Sequence, residues 1–223
     1  MRRVAVFARP PVPGAVKTRL SPALPPSLAE ELYTAMLDDA LAAASESGAE
    51  EHTLYWASVG AGAIGYAVPA GFTVRGQLGA GLGARLATAF AELLPGAADR
   101  AVVIGADCPD LDPTTIREAF AALETGDLVL GPARDGGYYL IGLRRPAPTL
   151  FEGMAWGTRR VLEETLARAE RARLQISLLS GLADFDTPQD LVSFVARRSL
   201  APGESGRQTE AALRAMGLLP PRP

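Results

Sequence analysis

The segment AVVIGADCPDL, residues 101–111, joins an uninterrupted apolar run to two acidic residues. Residues 101–105 carry no polar side chain, which is typical of a strand buried on both faces of a parallel sheet. Ligands of such sheets bind outside the carboxyl ends of the strands. The segment therefore predicts a central buried strand followed by a polar site that contains Asp107.

Apolar runs and helical patterns alternate along the rest of the chain. Further strands are predicted at residues 3–8, 52–57, 72–76, 127–131, 138–143 and 174–179, and helices at 27–46, 82–94, 112 or 114 to 123, 158–171, 188–196 and 209–216. This alternation favours an α/β fold, with a mostly parallel sheet covered by helices on both faces. We predict a single domain at residues 1–200 and a C-terminal helix with a Pro-rich tail at 201–223. Ser27 is the expected N-cap of the first helix, with Glu30 three residues later.

Composition excludes several classes of function. The chain has 223 residues and a net charge of −3, which argues against binding along a nucleic acid backbone. The single cysteine, Cys108, rules out an internal disulfide, and we expect it to pack as a small apolar residue. The single histidine, His52, lies at a strand start, so catalytic triads and histidine metal sites are not expected. No apolar stretch approaches the length of a membrane span, and we expect a cytoplasmic protein.

The loop after the first strand, PGAVKTRL at residues 13–20, contains Lys17, the only lysine among 22 basic residues. Gly14 permits a close backbone approach, and Lys17 and Arg19 supply positive charge. A compact ammonium suits a point contact to a phosphate oxygen. The Walker A pattern is absent, so the loop predicts a phosphate site of another kind. The alternative is that Lys17 is an ordinary surface residue.

Two acidic clusters follow other strands. Asp107 comes directly after the buried strand, where a carboxylate suits Mg²⁺ bound to phosphates. Asp110 either joins this site or caps a turn or the next helix. Asp184 and Asp186 follow the last strand and could complete a metal site with Asp107. Alternatively, Asp186 or Thr187 is no more than the N-cap of the following helix.

The segment GPARDGGYYLIGL, residues 131–143, places Asp135 and two glycines before a strand. The Asp-Gly-Gly step predicts either an acceptor-binding loop or a hairpin connection. Tyr138 and Tyr139 should face opposite sides of the sheet. Trp156 either stacks on an acceptor or anchors the core.

Five segments in order carry a resemblance to a known family: VFARPPVPGAVKTRL, GADCPDL, GPARDGGYYLIGL, MAWGTRRVLEET and ADFDTPQDL. Over about residues 3–196 the chain resembles bacterial arsenosugar-biosynthesis-type glycosyltransferases, also called radical-SAM and selenodomain-associated transferases. That family belongs to the nucleotide-diphospho-sugar transferase (GT-A) superfamily. It is similar to the nucleotidyltransferases that load phospholactate or phosphoenolpyruvate for a deazaflavin cofactor.

The resemblance implies a GT-A fold, a Rossmann-like three-layer sandwich, with a Mg²⁺ site, or a Mn²⁺ site as the alternative. The implied catalytic residues are Lys17, Arg19, Asp107 and Asp135, and the implied metal ligands are Asp107, Asp184 and Asp186. The implied nucleotide-binding residues are Ala8, Arg9, Gly14, Lys17, Arg19, Gln77, Gly83, Arg85 and Asp107. The implied acceptor-binding residues are Gly136, Gly137, Tyr138 and Trp156.

The base-recognition segment GQLGAGLGARL departs from the family pattern. The family usually has an acidic residue and a methionine in this stretch, where this chain has Gly81 and Leu86. In related nucleotidyltransferases a glutamine followed by a Gly-rich helix start recognises the base, so the resemblance still implies Gln77, Gly83 and Arg85 as candidates for contacts to the base. The alternative is a glycine-loosened helix entry.

Three functions remain open at this point. The resemblance favours glycosyl transfer from a nucleotide sugar to a small acceptor. The same charged groups would serve nucleotidyl transfer to a small phosphorylated acid. A nucleotide-binding regulator without turnover is the third, since a fold does not determine a function.

Overall fold

The computed structural model describes residues 1–57, 65–201 and 203–221; Pro202 and residues 222–223 of the predicted C-terminal tail lie outside the described residues. The strands are β1 Arg2–Ala8, β2 Glu51–Trp56, β3 Phe72–Gly76, β4 Arg100–Gly105, β5 Leu128–Pro132, β6 Tyr138–Leu143 and β7 Ile176–Leu178. The helices are α1 Pro26–Ser45, α2 Leu82–Leu93, α3 Pro113–Ala122, α4 Val161–Arg171, α5 Pro188–Leu200 and α6 Arg207–Ala215. Within these ranges, no helix combines the length and apolar character needed to cross a membrane.

The strands form one seven-stranded sheet in the order β3-β2-β1-β4-β6-β5-β7. The predicted mostly parallel arrangement is confirmed, and β6 is the exception among the described strands: it runs antiparallel to both β4 and β5. The loop between β5 and β6 is too short for the crossover that a parallel connection needs. As a result, the start of β6 lies at the same edge of the sheet as the ends of β1 and β4.

Helices cover both faces of the sheet, so the predicted three-layer α/β architecture is confirmed. Alternate residues of β4 face opposite clusters: Val102 packs with Leu37 of α1, and Val103 packs with Phe90 of α2. Helix α3 lies on the α1 side, and α4 lies on the α2 side. Burial on both faces explains why β4 has no polar side chain between its ends.

A third cluster joins α5 and α6 to α1. Leu213 of α6 packs in this cluster together with Met36 of α1 and Phe194 of α5. The carboxylate of Asp39 in α1 accepts hydrogen bonds from the backbone N–H groups of Gln208 (2.9 Å) and Thr209 (2.8 Å). Asp39 thereby caps the first turn of α6, which is a tertiary version of N-capping.

Helices α1, α4 and α6 begin at other residues than the sequence predicts, and α6 begins at Arg207 rather than at residue 209. Helix α1 begins at Pro26 with Pro25 at the N-cap, so Ser27 lies inside the first turn and forms no cap. Proline is favoured at the first helical position because its φ is preset and its missing N–H is not needed there. Helix α4 begins at Val161 rather than at residue 158, after Gly157 with a φ of 78°.

Candidate functional site

Lys17 lies at the centre of a cluster formed by the loops after β1, β4 and β7. Its Nζ donates hydrogen bonds to Asp107 Oδ1 (2.5 Å), Asp186 Oδ1 (2.6 Å) and the carbonyl oxygen of Phe185 (2.7 Å). An ammonium group has three donors, so all of them are engaged. The Lys17 side chain is only 3% exposed. The alternative that Lys17 is a surface residue is therefore wrong.

The surroundings of Lys17 favour its charged form. Burial alone would lower the pKa of Lys17, but the carboxylates of Asp107 and Asp186 outweigh it and raise the pKa above the usual value. The backbone of Lys17 is in the left-handed region with a φ of 48°. Non-glycine residues rarely adopt this conformation, which costs about 1 kcal/mol or more. The two ion pairs hold the residue there.

Asp184 is the third carboxyl group of the cluster. Burial, followed by the charges of Asp135, Asp186 and Asp107, raises the pKa of Asp184 to about 7. Its Oδ2 is buried and has no hydrogen-bond partner among the described residues. A buried carboxylate oxygen without a donor is costly unless a proton or a cation compensates it.

Backbone contacts fix the two acidic loops against each other. The N–H of Phe185 donates to the carbonyl oxygen of Asp107 (2.9 Å), and Cys108 Sγ donates to the carbonyl oxygen of Ala183 (3.3 Å). Burial raises the pKa of the Cys108 thiol well above its usual range. This agrees with the prediction that Cys108 packs under the loop and does not act as a nucleophile.

The loop after β1 presents charge next to this cluster. Tyr33 Oη accepts a hydrogen bond from the Arg9 N–H (2.8 Å) and donates one to the Arg9 carbonyl oxygen (3.0 Å), which fixes the start of the loop. The side chains of Arg9 and Arg19 are exposed and have no hydrogen-bond or ion-pair partner among the described residues. Gly14 is exposed, with a φ of 78°. Both arginines are therefore available to an anionic ligand.

Among the predicted base-recognition residues, Gln77 directly follows β3, and Gly83 and Arg85 lie in the first turn of α2. Gln77 Nε2 donates to the carbonyl oxygens of Tyr55 (3.0 Å) and Ala8 (3.5 Å). Arg85 Nε donates to the carbonyl oxygen of Gly79 (3.3 Å). These contacts bring Ala8 and Gln77 together at the edge of the sheet. The residues between Gln77 and α2 form a tight turn, in which the N–H of Gly81 donates to the carbonyl oxygen of Gly79 (3.1 Å).

The glycines of this turn have structural explanations. Gly81 is the N-cap of α2 with a φ of 100°, which agrees with a glycine-loosened helix entry. A Cβ added at Gly83 would lie 2.6 Å from the carbonyl oxygen of Phe151 and 2.9 Å from Trp156 Nε1. Gly83 therefore permits close packing of α2 on the segment that carries Trp156.

The Asp135 loop connects the antiparallel strands β5 and β6, as the hairpin alternative predicts. The N–H of Gly137 donates to Asp135 Oδ1 (2.7 Å), and the N–H of Ala133 donates to the Gly137 carbonyl oxygen (3.0 Å). Gly136 has a φ of 93° and lies directly against the backbone of Arg159. The N–H of Arg134 donates to the carbonyl oxygen of Leu182 (3.2 Å), so this loop lies beside the segment that carries Asp184.

The aromatic residues predicted at the acceptor site lie largely in the core. Tyr138 and Trp156 pack edge to face, with ring centroids 6.4 Å apart, against the cluster on the α2 side. Tyr139 packs in the opposite cluster, as the alternation of side chains in a strand predicts. Trp156 remains partly exposed, so it both anchors the core and presents an edge to solvent.

The structure decides which acidic residues cap helices. Asp112 is the N-cap of α3 and accepts from the Thr115 N–H (2.7 Å). Thr187 is the N-cap of α5 and forms a reciprocal capping box with Asp190. Asp110 caps neither helix and instead forms ion pairs with two arginines of α5, Arg197 (2.8 Å) and Arg198 (2.7 Å). Asp186 is thus free of a capping role and turns towards Lys17.

The donor set fits a hard divalent cation shared with a phosphorylated ligand. Asp107 and Asp186 both reach one nitrogen atom, and the second oxygen of each carboxylate accepts no hydrogen bond from the described residues. Within the described ranges, no group of three or more acidic, histidine or cysteine side chains could enclose a metal by itself. Mg²⁺ commonly uses one or two carboxylates together with phosphate oxygens, so two are enough.

Two site residues carried no signal in the sequence. The carbonyl oxygen of Phe185 completes the coordination of Lys17, and Tyr33 clamps the loop after β1. Every residue has a main-chain carbonyl, so the residue type does not reveal this contact. Tyr33 fits the apolar pattern of α1 and is not distinguished from its neighbours in the sequence.

Comparisons with known proteins agree with this architecture. The family model described as "Uncharacterized protein conserved in bacteria (DUF2064)" matches residues 34–158. That range includes Asp107, Asp135 and Trp156, whereas Lys17 and Asp186 lie outside it. The comparison with curated proteins gave no match.

Solved structures provide three further comparisons. A proposed nucleotide-diphospho-sugar transferase from Desulfovibrio desulfuricans G20 is 30% identical, with a TM-score of 0.86 over 97% of this chain and 95% of that chain. Rv0371c from Mycobacterium tuberculosis H37Rv, in complex with manganese, is 16% identical, with a TM-score of 0.52 over 87% and 98%. CMP:2-keto-3-deoxy-manno-octonic acid synthetase in complex with CTP is 15% identical, with a TM-score of 0.51 over 90% and 99%. The last two show similarity of fold.

The two glycines of the Asp135 loop should respond differently to substitution. Gly136→Ala should lower the free energy of unfolding by about 2 kcal/mol or more, because the new Cβ would meet the Arg159 backbone at a positive φ. Gly137→Ala should cost less than about 1 kcal/mol, since its Cβ would lie 3.1 Å from Asp135 Oδ1 at an ordinary φ. Urea unfolding of both variants measures the difference, and equal losses would refute this loop geometry.

Asp184 should make the stability of the protein depend on pH. Its carboxyl group binds a proton more tightly in the folded chain, with a pKa of about 7, than at the usual value of 3.8. The free energy of unfolding should therefore fall as the pH rises through this interval. Asp184→Asn cannot ionise, so at pH 8 in the absence of divalent cations it should be more stable than the wild type by about 1 to 3 kcal/mol. At pH 4 this advantage should vanish. If the difference in free energy of unfolding between Asp184→Asn and the wild type were the same at pH 4 and pH 8, this would contradict the environment described for Asp184.

Proposed function

The chain belongs to the bacterial DUF2064 family, and on that premise we propose that it is a divalent-cation-dependent transferase acting on a nucleotide-activated donor. One observation carries this proposal. Lys17 joins the carboxylates of Asp107 and Asp186 at the carboxyl edge of the sheet, where ligands of parallel sheets bind. The exposed guanidinium groups of Arg9 and Arg19 belong to the same loop as Lys17. The arrangement suits a cation and phosphates together.

Asp107 and Asp186 would hold the cation through their second carboxylate oxygens, with Asp184 as the third acidic group close by. Mg²⁺ is the proposed ion, and Mn²⁺ is the alternative. A bound ion of this kind supplies positive charge to the donor phosphates and to the leaving oxygen. The buried Oδ2 of Asp184 has no hydrogen-bond partner among the described residues, so either a proton or a nearby cation would compensate this carboxyl group.

Lys17 acts on the carboxylates in this proposal. Its three donors are engaged by protein atoms, so a direct phosphate contact would require one of these bonds to be exchanged. Without the ammonium group, Asp107 and Asp186 would repel each other and separate. Lys17 thus keeps both ligands in place before the donor binds, which is electrostatic preorganisation.

The remaining charged residues would bind the donor. Arg9 and Arg19 would contact the phosphates, where planar guanidinium groups form paired hydrogen bonds with phosphate oxygens. Gly14 would allow the loop to approach them closely. Gln77, after β3, and Arg85, in the first turn of α2, would lie near the base. Most of the catalysis would come from positioning and charge neutralisation, since transfer at phosphorus or at an anomeric carbon needs little covalent chemistry.

Asp135, Gly136 and Gly137 would form the acceptor side, because their loop reaches the acidic cluster from the opposite strand pair. Tyr138 and Trp156 would support this wall from the core. Asp135 would accept a proton from an acceptor hydroxyl. The acceptor would be a small molecule, since the loop is short and held rigidly against Arg159.

We favour glycosyl transfer from a nucleotide sugar. The relative at 30% identity is a proposed nucleotide-diphospho-sugar transferase and covers nearly the whole chain. The five motifs that resemble arsenosugar-biosynthesis-type transferases support the same assignment. We further propose that residues 1–200 form the transferase domain, with residues 201–223 as its C-terminal extension. The single cysteine is reduced and buried, in keeping with a cytoplasmic enzyme.

The leaving group distinguishes glycosyl transfer from nucleotidyl transfer. The protein is incubated with Mg²⁺ or Mn²⁺, a panel of nucleoside triphosphates and nucleotide sugars, and small acceptors. We expect release of a nucleoside diphosphate from one nucleotide sugar. Release of pyrophosphate from a triphosphate would instead identify nucleotidyl transfer. Nucleotide binding without either product would identify a regulator, and an absence of cation-dependent nucleotide binding would refute the proposed function.

The two proposed metal ligands should act on one ion. Asp107→Asn and Asp186→Asn should each weaken Mn²⁺-dependent nucleotide binding about tenfold or more, and the double variant should lose less than the sum of the two effects. Asp112→Asn is the matched control, because asparagine still caps α3 and the residue is not part of the cluster. Calorimetric titration with nucleotide and Mn²⁺ measures these affinities. Additive losses, or an equal loss in the control, would argue against a shared ion.

A further inference from the structure

A buried arginine at the end of α5 contacts the loop that carries Asp107. Arg198 Nη2 forms an ion pair with Asp110 Oδ1 (2.7 Å), and its Nη1 lies 3.4 Å from Glu210 Oε1 of α6. The Arg198 side chain is only 7% exposed, and Glu210 is fully buried. Asp110 lies three residues after Asp107, in the same loop. Arg198 therefore ties α6 to the first acidic loop.

The segment before α6 packs closely around this contact. A Cβ at Gly203 would collide with the Arg198 guanidinium group. Gly206, with a φ of 70°, lies where an added Cβ would be 2.8 Å from the carbonyl oxygen of Pro109. Ser205 Oγ donates to the carbonyl oxygen of Asp110 (3.2 Å). The segment before α6 thus packs directly on the backbone of the Asp107 loop. This close packing restricts the movement of Arg198.

A second set of contacts leads from Arg198 to the other acidic loop. Its guanidinium carbon lies 5.0 Å from the centre of the Phe194 ring, which packs on the Phe185 ring with centroids 5.2 Å apart. Phe185 is the residue whose carbonyl oxygen accepts from Lys17 and whose N–H donates to Asp107. One guanidinium group is therefore connected to both loops that hold the proposed metal ligands.

We propose that Arg198 is a positioning residue, which sets the spacing of Asp107 and Asp186 through Asp110 on one side and the Phe194–Phe185 ring pair on the other. This inference rests on the proposed function for its effect on a cation, and on the fold alone for its effect on the loops. A planar guanidinium group can pair with carboxylates through its edge while its face packs on a ring. Lysine could satisfy only part of this arrangement.

The test compares two variants of arginines that share Glu210. Arg198→Met removes the contacts to Asp110 and Phe194. Arg214→Met is the matched control, because Arg214 pairs with Glu210 (2.6 Å) on α6 and has no contact with the acidic loops. Amide hydrogen exchange, measured without cation well below both melting temperatures, should rise about fivefold or more at residues 105–110 and 183–187 in Arg198→Met. In Arg214→Met the increase should stay within α6.

Cation binding provides the second measurement. Mn²⁺ titrated into the full-length protein should bind about fivefold or more weakly to Arg198→Met than to wild type, and Arg198→Lys should lie between them. Arg214→Met should keep the wild-type affinity. If the wild-type protein shows no cation-dependent nucleotide binding, the proposed function fails, and the exchange data still decide the positioning role.

The inference is overturned if exchange in the two acidic loops is unchanged in Arg198→Met, or if Arg214→Met raises it equally. Should Arg198→Met fail to fold, Asp110→Asn replaces it, since asparagine keeps the shape but removes the charge that Arg198 pairs with. Asp110 also pairs with the more exposed Arg197 (2.8 Å), so Arg197→Met is measured beside it and should leave exchange in both loops unchanged. Faster exchange in both loops of Asp110→Asn would support the role. If exchange in Asp110→Asn rose only at residues 105–110, the connection to the loop that carries Asp186 would be refuted.

Discussion

The contact between the Lys17 ammonium group and the carboxylates of Asp107 and Asp186 is the constraint on which the rest of the site depends. Three loops from different parts of the chain meet at one nitrogen atom, and the lysine backbone adopts an unfavourable left-handed conformation to reach it. The two acidic loops carry like charges that would otherwise repel each other. The Lys17 ammonium group therefore allows the two carboxylates to lie close together.

The sheet topology explains why these loops meet. Strand β1 lies directly beside β4, so the loops that follow them share one edge, and the reversed direction of β6 brings the Asp135 loop to the same edge. Helices α5 and α6 pack against α1 in the third cluster, which also contains Phe185. The aromatic and ionic contacts of α5 extend the rigid part of the site into the C-terminal segment. The molecule thus supports its acidic loops from two directions, the sheet and the C-terminal helices.

Local pattern predicted the strands, most helices and the candidate acidic residues, because burial on both sheet faces and the ends of strands leave clear signals in sequence. Asp107, Asp184 and Asp186 were found in this way. The hydrogen-bond partners of Lys17 cannot be predicted from the sequence. One of them is a main-chain carbonyl oxygen, and the others are tertiary contacts that residue types do not reveal. For the same reason the sequence leaves Asp110 open between the polar site and a cap, because its pairing with Arg197 and Arg198 spans nearly 90 residues of sequence. The N-cap of α1 was misplaced because proline at its first position outweighed the Ser27 pattern.

The central claim is that Asp107 and Asp186 together bind one divalent cation beside Lys17. The most direct measurement is anomalous diffraction from crystals of the protein grown with Mn²⁺ and a nucleotide. One Mn²⁺ peak should lie within about 2.2 Å of an oxygen of each carboxylate, with phosphate oxygens completing its coordination. Lys17 should remain in contact with at least one of the two carboxylates. A Mn²⁺ ion bound elsewhere, or a nucleotide bound away from this edge of the sheet, would contradict it.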